Sequence, residues 1–343
     1  METENLTHVQ RASKQLIVFA PNWLGDAVMA LPAVDDVRRG AAGATVAIAA
    51  RPSIAPLFAL APGLPDVIVL DRRGPGWRDG VRRLRQRSFD AALLLPNSLQ
   101  SAFTAWRAGI PERWGYRAQG RAALLTRAIP APDDRVHQAL YYQRLTEALG
   151  YAPGRLEPRL DAAPDLRRAG ADLLASAGWD GRPLVALAPG AAYGTAKRWP
   201  AESFAALAMA LAGDGVASVL VGTTADAAAG AEVMAALKRG TGVVNLIGRT
   251  DLPTLAGVLV QCRALVSNDS GAMHFGAALG VPLVAIFGPT RERETRPIGA
   301  VEPAILTHDV WCRPCMLRDC PLTHRCMRGV TVDAVLTAAR RVP

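Results

Sequence analysis

Lysine is nearly missing from this chain: Lys14, Lys197 and Lys238 are the only three among 39 basic residues. Arginine fills basic positions by default here, so a lysine inside a motif suggests a need for a compact ammonium. Long apolar runs are missing too. Stretches such as "ASVLVG" and "VPLVAIFG" fall well short of the ~20 residues that cross a bilayer as a helix. The opening "METENLTHVQRASKQ" (1–15) is polar and has no apolar core of a signal peptide. It reads as a disordered tail on a cytoplasmic protein. Aromatic RNP stretches and zinc-finger spacings with paired histidines do not occur, which argues against nucleic acid as a partner. There is no close internal repeat and no low-complexity segment.

What the chain does hold is ordinary globular material. Its 343 residues, half of them hydrophobic and a fifth charged, are enough for two domains with sizeable cores. The net charge is +9, and most of the excess lies in the first 160 residues, in "DRRGPGWRDGVRRLRQR" (71–87) and at Arg113, Arg117, Arg121 and Arg127. A solvated basic face explains such a surplus; so does an anionic partner.

Short, near-continuous apolar runs mark strands at 16–20, 45–49, 66–70 and 91–95, alternating with helical stretches at 26–39, 78–87, 97–107 and 136–149. Runs of this kind suit strands buried on both faces of a parallel sheet. "YAPGRLEPRLDAAPD" (151–165) has three prolines and reads as a linker. The rhythm then restarts: strands at 184–188, 217–221, 243–247, 264–267 and 282–287, with helices at 165–178, 201–213, 226–239, 252–262 and 271–279. The chain is therefore α/β: two Rossmann-like doubly wound domains facing across a cleft, residues 16–160 and 161–343. Ligands of such sheets bind at the carboxyl ends of the strands.

The first strand–turn–helix, "LIVFAPNWLGDAVMALPAV" (16–34), holds one glycine, Gly25, followed by Asp26. A carboxylate there would repel a phosphate, so the turn is no phosphate cradle. Either Asp26 caps the helix or it acts as a general base. In the second half, "LAPGAAYGTAKRWPAESFAAL" (187–207) runs from a strand through a small-residue loop to Lys197. Gly190 and Gly194 allow close backbone approach to a bulky anion, and Lys197 can neutralise it. Trp199 and Pro200 read as a lock on the helix start. "ALVSNDSGAMHFGAALGVP" (264–282) runs from strand to helix, with the N–H groups of Ser270 and Gly271 placed to meet a phosphate. Asp269 is an N-cap or a hydrogen-bond acceptor for a ligand hydroxyl, and His274 lies one turn further on. Four of the five cysteines cluster as C-x2-C-x4-C-x5-C (Cys312, Cys315, Cys320, Cys326). A structural zinc suits the CxxC start; disulfides and reduced packing thiols are the alternatives. Cys262 reads as core.

"APNWLGDAVMALPAV", "LLLPNSLQSAFTAWRAGIPERWGYR", "APGAAYGTAKRWP", "NLIGRTDLPTLA" and "SNDSGAMHFGAALGVPLVAIFGPT", in that order over about residues 16–340, resemble glycosyltransferase family 9. The resemblance implies a GT-B fold with an N-terminal acceptor domain and a C-terminal nucleotide-sugar domain. It implies an inverting enzyme that takes L-glycero-D-manno-heptose from ADP-heptose and adds it to a lipid A–Kdo–heptose acceptor at the cytoplasmic leaflet of the inner membrane. By motif, Asp26 becomes the base. Gly190, Lys197, Thr223, Asp226, Asp269, Ser270, Gly271, His274 and Thr290 become donor-binding residues, and Asn97, Ser98, Arg113 and Arg117 acceptor-binding residues. No cofactor is implied for catalysis, no DxD-like carboxylate pair stands in a suitable turn, and the enzyme is expected to be a monomer peripheral to the membrane. Transfer to a different core acceptor, or epimerisation or hydrolysis of a nucleotide sugar on the same fold, are the competing activities; a non-catalytic nucleotide-sugar-binding or RNA-binding protein is the competing class.

Overall fold

A computed structural model describes residues 15–41, 43–63, 66–238 and 241–342. The chain divides into two compact units, Met1–Pro158 and Arg159–Pro343, so the division falls within the proline-rich stretch. Of the expected tail, residues 1–14 lie outside the described residues, whereas Gln15 is the first residue of a strand. Its backbone N–H donates to Asp90 Oδ2 at 2.9 Å, which ties it to the sheet.

The first unit carries six parallel strands in the order β3-β2-β1-β4-β5-β6: β1 (Gln15–Phe19), β2 (Thr45–Ala50), β3 (Val67–Val69), β4 (Ala91–Leu94), β5 (Glu112–Tyr116) and β6 (Arg127–Ile129). Its main helices are α1 (Leu24–Gly40), α2 (Gly74–Gln86), α3 (Leu99–Arg107) and α4 (Gln138–Ala148). The second unit repeats the plan as β12-β11-β10-β7-β8-β9: β7 (Leu184–Ala188), β8 (Ala217–Leu220), β9 (Val243–Asn245), β10 (Ala264–Asn268), β11 (Leu283–Phe287) and β12 (Ala304–Thr307). Helices α5 (Pro164–Ser176), α6 (Ala201–Gly213), α7 (Ala227–Ala236), α8 (Leu252–Leu259), α9 (Gly271–Ala278) and α10 (Val332–Arg341) accompany it.

Central strands β4, β7, β10 and β11 are buried along their whole length, because helices cover both faces of each sheet. In each unit the strand order reverses beside a central pair, β1/β4 and β7/β10. A crevice opens there at the carboxyl ends of the strands. Asp26 follows β1 and Asn97 follows β4; Lys197 follows β7 and Asp269 follows β10. The residues singled out by the motifs thus sit at the two topological switch points.

Candidate active site

Asp26 occupies the third position of α1, where free N–H groups and the helix dipole favour a negative charge. It is not the N-cap: that position is Trp23, and no side chain caps the helix. The Asp26 carboxylate accepts a hydrogen bond from the hydroxyl of Tyr142 on α4. Burial, first, and the nearby Asp26 charge hold the Tyr142 hydroxyl well above its ordinary pKa, so it remains a neutral donor. Tyr142 stands 116 residues along the chain from Asp26 and lies on a helix with no distinguishing motif.

The expected acceptor residues fare differently. Ser98 is the N-cap of α3 and accepts from the Ser101 N–H at 3.3 Å. Asn97 donates to Tyr141 Oη at 2.8 Å and accepts from Arg121 at 3.3 Å. Arg113 is taken up by the fold: its guanidinium donates to the carbonyls of Leu124, Ile110 and Pro111 at 2.6–2.8 Å. Arg117 is exposed. Arg121 is fully buried, donating to the carbonyls of Tyr116 and Pro96 and to Ser101 Oγ, and burial brings its pKa down to about 10. Two cations in the basic surplus are therefore structural.

A better-placed cation is Arg51, just after β2. A pocket at the carboxyl ends of β1–β4 is lined by Asn22, Arg51, Arg72, Ser98 and Gln100 among others. The Nε of Arg51 is buried and has no hydrogen-bond partner. Burial and the neighbouring Arg72 charge both lower the Arg51 pKa. An unsatisfied cationic N–H beside a second cation favours a negative charge nearby. The sequence offered no cue for Arg51 beyond its place after an apolar run.

In the second unit one carboxylate gathers the expected residues. Lys197 Nζ lies 2.6 Å from Asp269 Oδ2, and Thr290 Oγ1 donates to the same oxygen at 2.6 Å. Side-chain exposure is 12% for Lys197 and 5% for Asp269, so neither surface lysine nor simple N-cap describes them. Ser270 is the N-cap of α9, which begins at Gly271; the first-turn N–H groups there have no intrahelical acceptor. His274 is buried one turn further. Asn268, fully buried, accepts from the Trp199 N–H at 3.0 Å and donates to the Pro189 carbonyl at 2.8 Å. It laces the loop after β7 to the end of β10.

Several other expected residues contact the protein itself. A Cβ on Gly190 would lie 2.1 Å from Asp226 Oδ1, and one on Gly194 2.2 Å from the Arg318 carbonyl oxygen. Both glycines make room for protein atoms. Thr223 and Asp226 close a capping box on each other, Asp226 Oδ2 accepting from the Thr223 N–H and hydroxyl at 2.9 and 2.8 Å. The cysteines are all free. Cys312, Cys315, Cys320 and Cys326 line one small cavity with Ala196 and Pro289 in its wall. Among the described residues, no group of three or more His, Cys, Asp or Glu is arranged to hold a metal ion. Cys262 is core, its thiol pKa pushed up by burial.

No helix among the described residues is long and apolar enough to cross a membrane. Residues 77–325 match the model of glycosyltransferase family 9 (heptosyltransferase). The chain is 32% identical over 305 residues to lipopolysaccharide heptosyltransferase 2 of Escherichia coli (strain K12), covering 83% of this chain and 85% of that one. It is 33% identical over 300 residues to the protein of the same name in Salmonella typhimurium, with the same coverage. The solved structure of E. coli ADP-heptose lps heptosyltransferase II superposes with a TM-score of 0.83 at 28% identity, covering 95% of this chain and 97% of that chain. With two doubly wound sheets, GT-B in architecture, and a family match across most of its length, the chain belongs to glycosyltransferase family 9, the heptosyltransferases.

Proposed function

We propose that this protein transfers L-glycero-D-manno-heptose from ADP-heptose, with inversion, to a lipopolysaccharide inner-core acceptor made of lipid A, Kdo and one heptose. The observation that carries this reading is the Asp269 network. A buried ammonium and a buried hydroxyl share one carboxylate oxygen immediately before the open N-terminus of α9. Such a site offers an acceptor for sugar hydroxyls, and a cation with free N–H groups for a diphosphate. The names of the relatives reported above support the donor and acceptor class.

In the reaction, Asp26 takes the proton from the acceptor hydroxyl as that oxygen bonds to the anomeric carbon. The bond from that carbon to the ADP oxygen breaks on the opposite face, and its electron pair leaves with ADP. Lys197 and the N–H groups of α9 meet the growing charge; each such donor is worth about 3 kcal/mol in comparable sites. Charge stabilisation needs no metal in this scheme, so transfer should persist at full rate in EDTA. The acceptor is anionic through Kdo carboxylates and lipid A phosphates. Arg51, Arg72 and Arg117 supply the complementary charge, and the enzyme works as a monomer at the cytoplasmic leaflet.

Mass analysis of the product tests the reading. Given ADP-heptose and a mono-heptosylated core acceptor, the acceptor should gain one heptosyl unit, with ADP release dependent on acceptor. ADP released equally fast without acceptor would make the protein a hydrolase; an isomerised sugar nucleotide would make it an epimerase.

A further inference from the structure

The cysteine-rich segment takes no part in the chemistry above, yet it is tied to both loops that reach Asp269. On the Lys197 side, the Tyr193 hydroxyl donates to the Met316 carbonyl at 2.8 Å and Arg318 Nε donates to the Tyr193 carbonyl at 2.7 Å. The Ala196 N–H donates to the Arg318 carbonyl at 3.0 Å, and Thr195 Oγ1 to Asp319 Oδ1 at 2.8 Å. The Tyr193 ring carries two cations, Lys197 Nζ at 4.7 Å and the Arg318 guanidinium at 5.4 Å from its centroid. Gly194 permits this approach, since a Cβ there would strike the Arg318 carbonyl. On the Thr290 side, the Met316 N–H donates to the Pro289 carbonyl at 2.9 Å and Arg313 Nε to the Gly288 carbonyl at 2.9 Å.

We propose that Tyr193 and Arg318 are positioning residues for Lys197, and that segment 312–326 is a clamp holding the Lys197 and Thr290 loops onto Asp269. The thiol-lined cavity lies inside this clamp, with Ala196 and Pro289, each one residue from a member of the network, in its wall. Neither Tyr193 nor Arg318 touches Asp269 through any bond given above; both act through the ammonium. A long lysine side chain loses much rotamer freedom when held in one geometry. The ring beneath it and the bonds behind that ring lower the cost by fixing the loop beforehand. The consequence for donor binding rests on the reading of Lys197 given under Proposed function; the clamp itself does not.

The scarcity of lysine makes the test direct. Lys238 is exposed and serves as an internal standard for Lys197 in competitive labelling with an amine reagent, read by peptide mass spectrometry on the full chain. Arg318 and Tyr193 are exposed, so Arg318→Ala and Tyr193→Ala should fold, and continued protection of buried Cys262 from a thiol reagent checks that. Each substitution should speed labelling of Lys197 about tenfold, through the loss of at least one cation–π contact and one hydrogen bond, with Lys238 unchanged. Arg318→Lys, which keeps a cation for the ring, should restore part of the protection. Unchanged Lys197 labelling in both alanine variants overturns the clamp.

Equilibrium binding of ADP supplies the second arm. Arg318→Ala should weaken ADP several-fold and add nothing in a Lys197→Ala background, because the two act through one group. Additive effects overturn the positioning role. Should Lys197→Ala bind ADP as wild type does while Arg318→Ala still frees the amine, the donor reading of Lys197 fails and the clamp stands.

Discussion

At the scale of single residues, a carboxylate can serve as a base only if it is charged and aimed. Asp26 receives help on both counts: the first turn of α1 favours its charge, and the Tyr142 hydroxyl fixes its direction. Asp26→Ala should lower kcat by a factor on the order of 10²–10⁴, the usual worth of a positioned base, with ADP binding unchanged by calorimetry. Tyr142→Phe makes a subtler prediction. A donated hydrogen bond stabilises the carboxylate over the acid, so its loss should move the acid limb of the kcat/KM profile to higher pH. The burial that holds Tyr142 protonated means wild type should show no loss from ionisation of this tyrosine near pH 10. A Tyr142→Phe profile superimposable on wild type would remove Tyr142 from the account.

Between elements, close approach and paired charge decide the outcome. Helices α5 and α8 cross with their glycines in contact: a Cβ on Gly170 would lie 2.1 Å from the Gly257 carbonyl carbon, and one on Gly257 2.0 Å from the Leu166 carbonyl oxygen. Backbone cannot yield as a side-chain tip can, so Gly257→Ala should cost about 1–3 kcal/mol or more, read from denaturant midpoints at constant m. In the first unit, Asp36 on α1 is buried, paired with Arg39, and accepts from Gln143 of α4 and from the Gly154 N–H, both at 2.8 Å. It joins a helix to segments more than 100 residues away. The pocket at the ends of β1–β4 carries the prediction for the acceptor. Arg51→Gln should raise the acceptor KM about tenfold, leave donor KM alone, and flatten the dependence of acceptor KM on salt. An acceptor KM insensitive both to salt and to Arg51 would deny this pocket an electrostatic role.

Across the whole molecule, burial of titratable groups differs between the two units, and alkaline pH should reveal it. Tyr116, Tyr142 and Tyr151 of the first unit all have raised pKa values, chiefly through burial, Tyr151 to about 12. Above their ordinary value of 10 the unfolded chain sheds protons that the folded unit retains. The stability they contribute is whole below about pH 10 and drains as pH climbs toward the folded values. In the second unit, buried Cys262 starts the same loss earlier, from about pH 9. Calorimetry between pH 8 and 11 should show the second unit's Tm falling first, and Cys262→Ala should delay that fall. Flat melting of both units to pH 11 would contradict the burial assigned to these groups.

Much of this architecture was written locally. Nine of the twelve strands among the described residues are short apolar runs, and such runs bury themselves in a parallel sheet whatever their partners. Asp26, Lys197, Asp269 and Ser270 could be placed because each follows such a run. β5 and β6 escaped notice because "ERWGY" and "RAI" carry charge and form no apolar run; β6 and β12 sit at sheet edges, where one side pairs with no strand among the described residues. Periodicity and turn residues act over a few positions, so local patterns suffice to set the two doubly wound units and the loops that bear the chemistry. Long-range packing is what makes Lys197 and Thr290 share one oxygen of Asp269, brings Tyr142 to Asp26, spends Arg113 on carbonyls while Arg51 Nε is left unsatisfied, and sets the thiols behind the Lys197 loop. The pairings at Asp269 and Asp26 join residues from about twenty to more than a hundred positions apart. They follow from how the strands are ordered and the helices packed, information that no short stretch of chain contains.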